Sequence, residues 1–484
     1  MRKINIDLKN LEDCFPEHFN QDQIARGKTI FYKKLAIFGH QFYGGKIQTI
    51  PKAGVFGFNW FNVWYTPGVS KISTMIRDDN DASFDLSNRG NLVAVVSDST
   101  RVLGDGDCTP FGGLGVMEGK AFLMKYLAAV DAVALCINSS NDNGEKSPQK
   151  IIDFVKMVEP SFGAINLEDI SQPNCYQVLD TLRKESSISV WHDDAQGTAC
   201  VTLAGLINAL KLANKQIGNC KIVLLGAGAA NTTIADFIIQ AGGNPDDLII
   251  FDSRGSLRKG RSDIQSKPAY YRKWDLCERT NAKQISTIEE ACQNADVIIG
   301  LSTPGPDTIK PQWIKMMAEK PIVFACANPV PEIYPHAAKE AGAFIVATGR
   351  GDFPNQVNNS IGFPGILKGA LSVRAKTITD NMAIAAAYGL AEFAEKRGIN
   401  PENIVPNMDE SDVFPYEATI VAKQAMEDGV ARLILTEDEI YQKAKKEITE
   451  TRDLIQHLMR ENYIKQMPLD MVQKALEQTI EEMK

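Results

Sequence analysis

The 484-residue chain lacks any apolar run approaching the roughly 20 residues that a helical membrane span requires; its best stretch, residues 126–137, is broken by Asp131. The acid-bearing start MRKINIDLKNLEDCF shows no apolar leader core, so the cytoplasm is the expected location. Excess positive charge is missing as well: 52 Lys plus Arg face 60 Asp plus Glu, a net charge of −8. Such a surface repels phosphate backbones and anionic lipids, so neither nucleic acid nor membrane is expected as a partner. No C-x-x-C pair occurs among the nine cysteines, and an odd number cannot close into a disulfide framework, so they read as reduced packing thiols. Internal repeats, low-complexity tracts and long Gly/Ser linkers are absent too. What is present is an ordinary globular composition, 44% hydrophobic and 23% charged, over a length that calls for two or three domains.

Short β-prone runs at residues 92–96, 132–137, 164–166 and 189–191 each end in polar or acidic residues and are separated by helix-length segments. A second series at 221–225, 248–251, 297–301, 322–325 and 344–347 alternates with helical stretches, as a doubly wound parallel sheet requires. The expected class is α/β. Residues 1–197 form an N-terminal α/β substrate domain, residues 198–375 a Rossmann-like dinucleotide domain, and residues 376–484 a helical C-terminal segment that packs on the body. Within that segment Thr436-x-x-Glu439 is a capping box that opens an amphipathic helix.

KIVLLGAGAANTTIADFII places Gly226, Ala227, Gly228, Ala229 and Ala230 between an apolar strand and an amphipathic helix, where backbone N–H groups can hold a pyrophosphate. Asn231 stands where the dinucleotide fingerprint has its third glycine, and a turn of purely structural role is the competing reading. The next strand ends in Asp252, placed to bind an adenosine ribose. Arg254, Arg258, Lys259 and Arg261 follow it and suit a 2′-phosphate, which tips the expectation narrowly from NAD to NADP; a solvated basic loop is the alternative. Gly119-Lys120 has neither the spacing nor the following hydroxyl of a P-loop.

Two strands end in acids: GAINLEDI in Glu168-Asp169 and VWHDDAQGTA in Asp193-Asp194. Strand carboxyl ends are where open α/β sheets gather ligands, and four clustered carboxylates repel one another unless a cation joins them. Hard oxygen donors in a chain with only 5 histidines suit Mg2+ or Mn2+ rather than zinc, with His192 expected to pack or support. Helix capping and pairing with basic residues are the competing roles for these acids. Tyr65 in WYTPGVS and Lys120 in VMEGKAFLMKY are candidate proton-transfer groups, and Arg101 a candidate carboxylate clamp; each has an ordinary structural reading when taken singly. Asn328 in CANPVPEI and Asn358-Asn359 in FPNQVNNSIGFPG lie in Pro- and Gly-rich loops after strands, where amides bind ligands or build turns.

Read in order, WYTPGVS, TRVLGDGD, GKAFLMKY, INLEDI, HDDAQGTA, GAGAAN, ACANPVPEI and ATGRGDFPNQVNNSIGFPGILKGAL give a chain that resembles the malic enzymes of the shorter prokaryotic type, over residues 44–432. The resemblance implies Tyr65 as proton donor, Lys120 as proton acceptor, Asp193 as a supporting acid, and Glu168, Asp169 and Asp194 as ligands of Mg2+ or Mn2+. It further implies Arg101, Asn328 and Asn359 as malate-binding residues, with Asn328 also near the nicotinamide, and the turn from Gly226 to Ala230 as the pyrophosphate site. The chain departs from that pattern at Ser99, where glycine is usual, at Asp105, where an apolar residue is common, and at Asn231.

The implied reaction is oxidative decarboxylation of L-malate to pyruvate and CO2 with reduction of NADP or NAD, by a homo-oligomer of two or more subunits. The alternatives are a malolactic-type or other decarboxylating 2-hydroxyacid dehydrogenase, or a non-catalytic sensor of dinucleotide or organic acid. The intact set of Lys120, Tyr65 and three carboxylates argues against the sensor.

Overall fold

A computed structural model describes residues 3–102 and 104–484. Among the described residues ten strands are formed: β1 (Leu92–Ser97), β2 (Asp131–Cys136), β3 (Ala164–Leu167), β4 (Ser189–His192), β5 (Ile222–Leu225), β6 (Leu248–Asp252), β7 (Gly255–Ser256), β8 (Val297–Gly300), β9 (Ile322–Ala325) and β10 (Ile345–Thr348). The helices include α1 (Gln21–Tyr43), α2 (Leu114–Ala128), α3 (Pro148–Val158), α4 (Asn174–Glu185), α5 (Thr198–Ala213), α6 (Ala229–Gln240), α7 (Phe363–Ser372), α8 (Asp380–Lys396), α9 (Val413–Glu427), α10 (Glu437–Arg460) and α11 (Leu469–Glu482).

Residues 49–448 make one compact unit, and residues 1–48 with 449–484 make another. Compactness therefore cuts the chain at other points than 197 and 375. In the smaller unit, α1 starts at a reciprocal box in which Asn20 and Gln23 each accept the other's backbone N–H at 2.9 Å. Its core joins Phe15 and Phe31 to Val472, Leu476 and Ile480 of α11, an apolar seam between the two chain ends that no local pattern announces.

The larger unit carries two sheets. The first has order β2-β1-β3-β4, wholly parallel. The period-2 geometry of a strand sends Val93 and Val95 to the face covered by Met117 and Met124 of α2. Ala94 and Val96 turn to the opposite face, against Ile151 and Val155 of α3 and Leu179 of α4. Burial on both faces is why these strands read as unbroken apolar runs.

The second sheet has order β10-β9-β8-β5-β6-β7, with only the two-residue β7 antiparallel. Starting from β5, this is the Rossmann order in which the winding reverses between β5 and β8. Sequence pattern finds every parallel strand to within a residue or two and misses β7, which is too short to show a period. Helices α7, α8 and α9 close the core above α5, with Ile366, Leu390, Phe414 and Val421 buried. Thr436 and Glu439 form the expected box at the start of α10, with Thr436 N–H donating to Glu439 at 2.8 Å and Glu439 N–H to Thr436 at 3.3 Å.

Candidate active site

In the first sheet the winding reverses between β1 and β3, so the crevice beyond their carboxyl ends is where the topology leaves room for a ligand. The chain leaves β1 towards Arg101, β3 into Glu168 and Asp169, and β4 into Asp193 and Asp194. One turn wound as a π-bulge, Asp193–Gly197, separates β4 from α5. Gly197 is obligatory there, since a Cβ would stand 1.9 Å from Asp193 Oδ1. That oxygen accepts from Trp191 Nε1 at 3.1 Å, which fixes the carboxylate.

Lys120 projects from the middle of α2, is buried, and pairs with Asp193 and, at 3.2 Å, with Glu168. Its ammonium also lies 4.5 Å from the centre of the Phe363 ring. Burial by itself draws the lysine pKa down, but Asp193, Glu168 and Asp194 outweigh it and hold the ammonium protonated. Burial pushes Glu168 and Asp193 up, Lys120 opposes this, and the neighbouring carboxylates add to it. One lysine is too little positive charge for four acids.

Glu168, Asp169 and Asp194 each offer a carboxylate oxygen, all within 4.8 Å of one another. Asp169 is set by a left-handed backbone, φ 53°, and its N–H donates to Asp194 Oδ2 at 2.6 Å. These hard donors converging on one point fit a divalent cation. His192 is fully buried, with Nδ1 4.0 Å from Asp194, and burial lowers its pKa, so it stands behind the cluster as a neutral packing group. Arg101 N–H donates to Asp169 O at 3.0 Å, and its exposed side chain makes no polar contact among the described residues. A clamp held at the rim by its backbone is thereby available to an anion.

Ser99 explains its own departure from the family pattern. Its φ is 58°, a conformation glycine adopts without cost, and its N–H is held by Ser97 Oγ at 2.9 Å. Gly113 makes room for it, since a Cβ there would meet Ser99 Oγ at 1.8 Å.

The turn that follows β5 leads into α6. Gly226 has φ 100° and a Cβ would stand 2.4 Å from Leu301 O, whereas a Cβ on Gly228 would meet nothing, leaving open space at the start of α6. Asn231 is accommodated by hydrogen bonding: Nδ2 donates to Leu225 O and Gly226 O, both at 2.9 Å, and so closes the turn that a third glycine would let pack. Asp252 is gripped by both terminal nitrogens of Arg261 at 2.8 and 3.2 Å, while Arg254 lies exposed, 3.4 Å from Asp263. Asp252 also accepts the Arg254 backbone N–H at 2.9 Å, so Arg261 reaches this acid through its side chain and Arg254 through its backbone.

Asn328 lies against Gly349, where a Cβ would meet its amide nitrogen at 2.8 Å. Asn359 Cβ is 3.4 Å from the Cβ position of Gly197, which places it beside the Asp193 turn. Asn358 has a structural role: it caps Ser360 N–H at 3.0 Å and donates to Gly349 O at 3.1 Å.

Tyr65 is not brought into this cluster. It is 73% exposed and its hydroxyl has no hydrogen-bond partner among the described residues. It belongs to an arm, residues 49–71, in which every residue is exposed, including Phe56 at 79% and Phe58 at 86%.

Sequence reasoning missed Phe363 beneath Lys120 and Glu417 on α9. Glu417 is fully buried, neither oxygen has a hydrogen-bond partner, and one lies 2.0 Å from where a Cβ on Gly365 would be. Burial, then repulsion from Asp193, raises its pKa well above the carboxyl range. The signal was a lone acid flanked by Phe414, Ala418 and Val421 on one helical face.

Comparison with known proteins agrees with this architecture. The malic enzyme N-terminal domain matches residues 58–183 and the malic enzyme NAD binding domain residues 195–426. The chain belongs to the malic enzyme family, whose members here are NAD- or NADP-dependent oxidoreductases. It is 40% identical over 411 residues to the bifunctional malic/malolactic enzyme of Bacillus subtilis, spanning 84% of this chain and 96% of that one. It is 41% identical to the NAD-dependent malic enzyme of Geobacillus stearothermophilus, over 80% of this chain and 78% of that one. The crystal structure of Entamoeba histolytica malic enzyme superposes with a TM-score of 0.98 at 60% identity, over 100% of both chains. No helix among the described residues is long and apolar enough to cross a membrane.

Proposed function

We propose that the chain catalyses divalent-metal-dependent oxidative decarboxylation of L-malate to pyruvate and CO2, with NADP slightly favoured over NAD. The observation that carries this reading is the buried Lys120 beside three carboxylates whose donor atoms lie within 4.8 Å of one another. Mg2+ or Mn2+, held by Glu168, Asp169 and Asp194, would supply Lewis-acid polarisation of the substrate's C2 oxygen. Residues 1–197 bind malate and metal, and residues 198–375 the dinucleotide.

Each residue then has a task. Arg101 clamps a malate carboxylate, and the Asn328 and Asn359 amides orient substrate and nicotinamide without adding charge. A divalent cation held by Glu168, Asp169 and Asp194 would offset the charge of Glu168 and Asp194, leaving Asp193 to hold the ammonium against the burial that draws its pKa down. Lys120 Nζ then takes the C2 hydroxyl proton as hydride leaves C2 for the nicotinamide. Asp193 keeps Nζ in place. After CO2 departs, Tyr65 Oη protonates C3.

Tyr65 reaches its task through assembly. The exposed aromatic arm fits a second copy of the chain, which buries Phe56 and Phe58 and receives Tyr65 beside its own Lys120. The cytoplasmic placement is supported by nine cysteines, all unbridged.

The test follows reduced-nicotinamide absorbance with L-malate and MnCl2, with NADP and NAD in parallel, a chelator control and final pyruvate. Chelator-sensitive reduction with matching pyruvate supports the reading. Lactate without net reduction would favour the malolactic alternative, which the bifunctional Bacillus relative keeps in view.

A further inference from the structure

Away from the catalytic cluster, a cavity of about 240 Å³ opens between the segment before β1, the far end of α7 and α10. Four cations line it, Lys52, Lys368, Arg374 and Lys443, against two carboxylates, Asp85 and Glu447. Lys368 is 3% exposed and pairs with Glu447, and Arg374 pairs with Asp85. Lys52 has only an amide, Asn88 Oδ1 at 2.8 Å, and Lys443 makes no ion pair among the described residues. Two positive charges are therefore left without counter-charge around a polar cleft of small volume. Burial and then, against the pull of Glu447, the approach of Lys443 lower the pKa of Lys368, the strain expected where like charges converge. No step of the proposed reaction uses these residues.

We propose that this cavity binds a small polyanion, a phosphate or a di- or tricarboxylate, and that its occupancy reaches the active site along α7. The volume admits an anion of that size and excludes a dinucleotide. Lys52 and Lys443 supply the unmatched charge at the rim, and Lys368 gives the floor a buried cation. The same ten-residue helix begins at Phe363, against the Lys120 ammonium, and ends at Lys368, Leu371 and Ser372 in the cavity wall. A rigid helix of that length, about 15 Å, carries a displacement at one end to the other. The coupling to catalysis rests on the proposed malic enzyme reading, whereas the binding does not.

The experiment measures thermal stability of the full chain without metal, titrated with inorganic phosphate and, separately, succinate, with KCl holding ionic strength constant. The wild type is expected to show saturable stabilisation, and the Lys443→Ala protein to need about 10-fold more anion while keeping its anion-free activity. Stronger response to phosphate names a phosphorylated ligand, and stronger response to succinate a carboxylate. Stabilisation no greater than KCl gives, or equal in the Lys443→Ala variant, would overturn the site. Saturable stabilisation with no change in malate KM or kcat at the same anion concentration would overturn the coupling alone.

Discussion

Lys120 and Tyr65 are assigned to the same proton traffic, yet their surroundings are opposite. Lys120 pairs with Asp193 and Glu168, feels Asp194 and rests on the Phe363 ring, each of them placed by the parallel sheet or the helices against it. Tyr65 stands on an arm with no buried residue from 49 to 71. On the proposed function, one half of the site would be assembled by the fold of a single chain and the other would need a second surface to cover it. That reading predicts two kinds of defect: a change in the cluster should alter charge and metal binding, while a change at Tyr65 or its aromatic neighbours should alter assembly and protonation at C3.

The largest effects are expected where the comparison is sharpest. Lys120→Ala and Tyr65→Phe should each lower kcat on the order of 100- to 10,000-fold, read as malate-dependent nicotinamide reduction. Only Tyr65→Phe should leave metal affinity unchanged, because it alone stands apart from the acids. Next, Asp194→Ala should raise the Mn2+ concentration for half-maximal rate by more than the roughly 10- to 100-fold that outer-shell changes cost. An unchanged metal requirement would remove Asp194 from the ligand set.

Arg261→Gln leaves the cluster alone and frees the Asp252 carboxylate, so kcat/KM for NADP should fall relative to NAD by about 10- to 100-fold. An unchanged ratio would contradict the role given to the pair. The smallest effect concerns stability. Glu417 has a folded pKa well above its unfolded value of about 4.3, so the native state holds the extra proton. Stability is full below about pH 4.3 and declines as pH rises towards the folded pKa. Glu417→Gln should therefore raise the melting temperature by a few degrees at pH 8 and by less at pH 5. A gain equal at both pH values would show that Glu417 is not buried as a neutral acid.

The core of the fold was legible because parallel strands buried on both faces are written as short apolar runs with acids at their ends. Glu168, Asp169, Asp193 and Asp194 followed from that placement. Lys120 was only one candidate among others: a lysine in mid-helix looks like any other until α2 is packed across the acids, and the resemblance alone gave it a definite role. The arm left no trace in the sequence, since large aromatics such as Trp60, Phe61 and Trp64 usually pack inside, yet here they stand exposed in the single chain. The pairing of α1 with α11 joins the chain's two ends, and β7 is two residues long; neither leaves a periodic trace. Asn231 was read as an interruption of the fingerprint and proves to be its hydrogen-bonded substitute.

The most direct test mixes the two halves. Tyr65→Phe and Lys120→Ala subunits, each inactive alone, are co-expressed with different tags and assayed with L-malate, Mn2+ and NADP. If a second copy supplies Tyr65, each mixed dimer holds one complete site, and random pairing restores about one quarter of wild-type activity. Activity no higher than that of either variant alone would contradict the account, because it would return Tyr65 to its own chain or remove it from the chemistry.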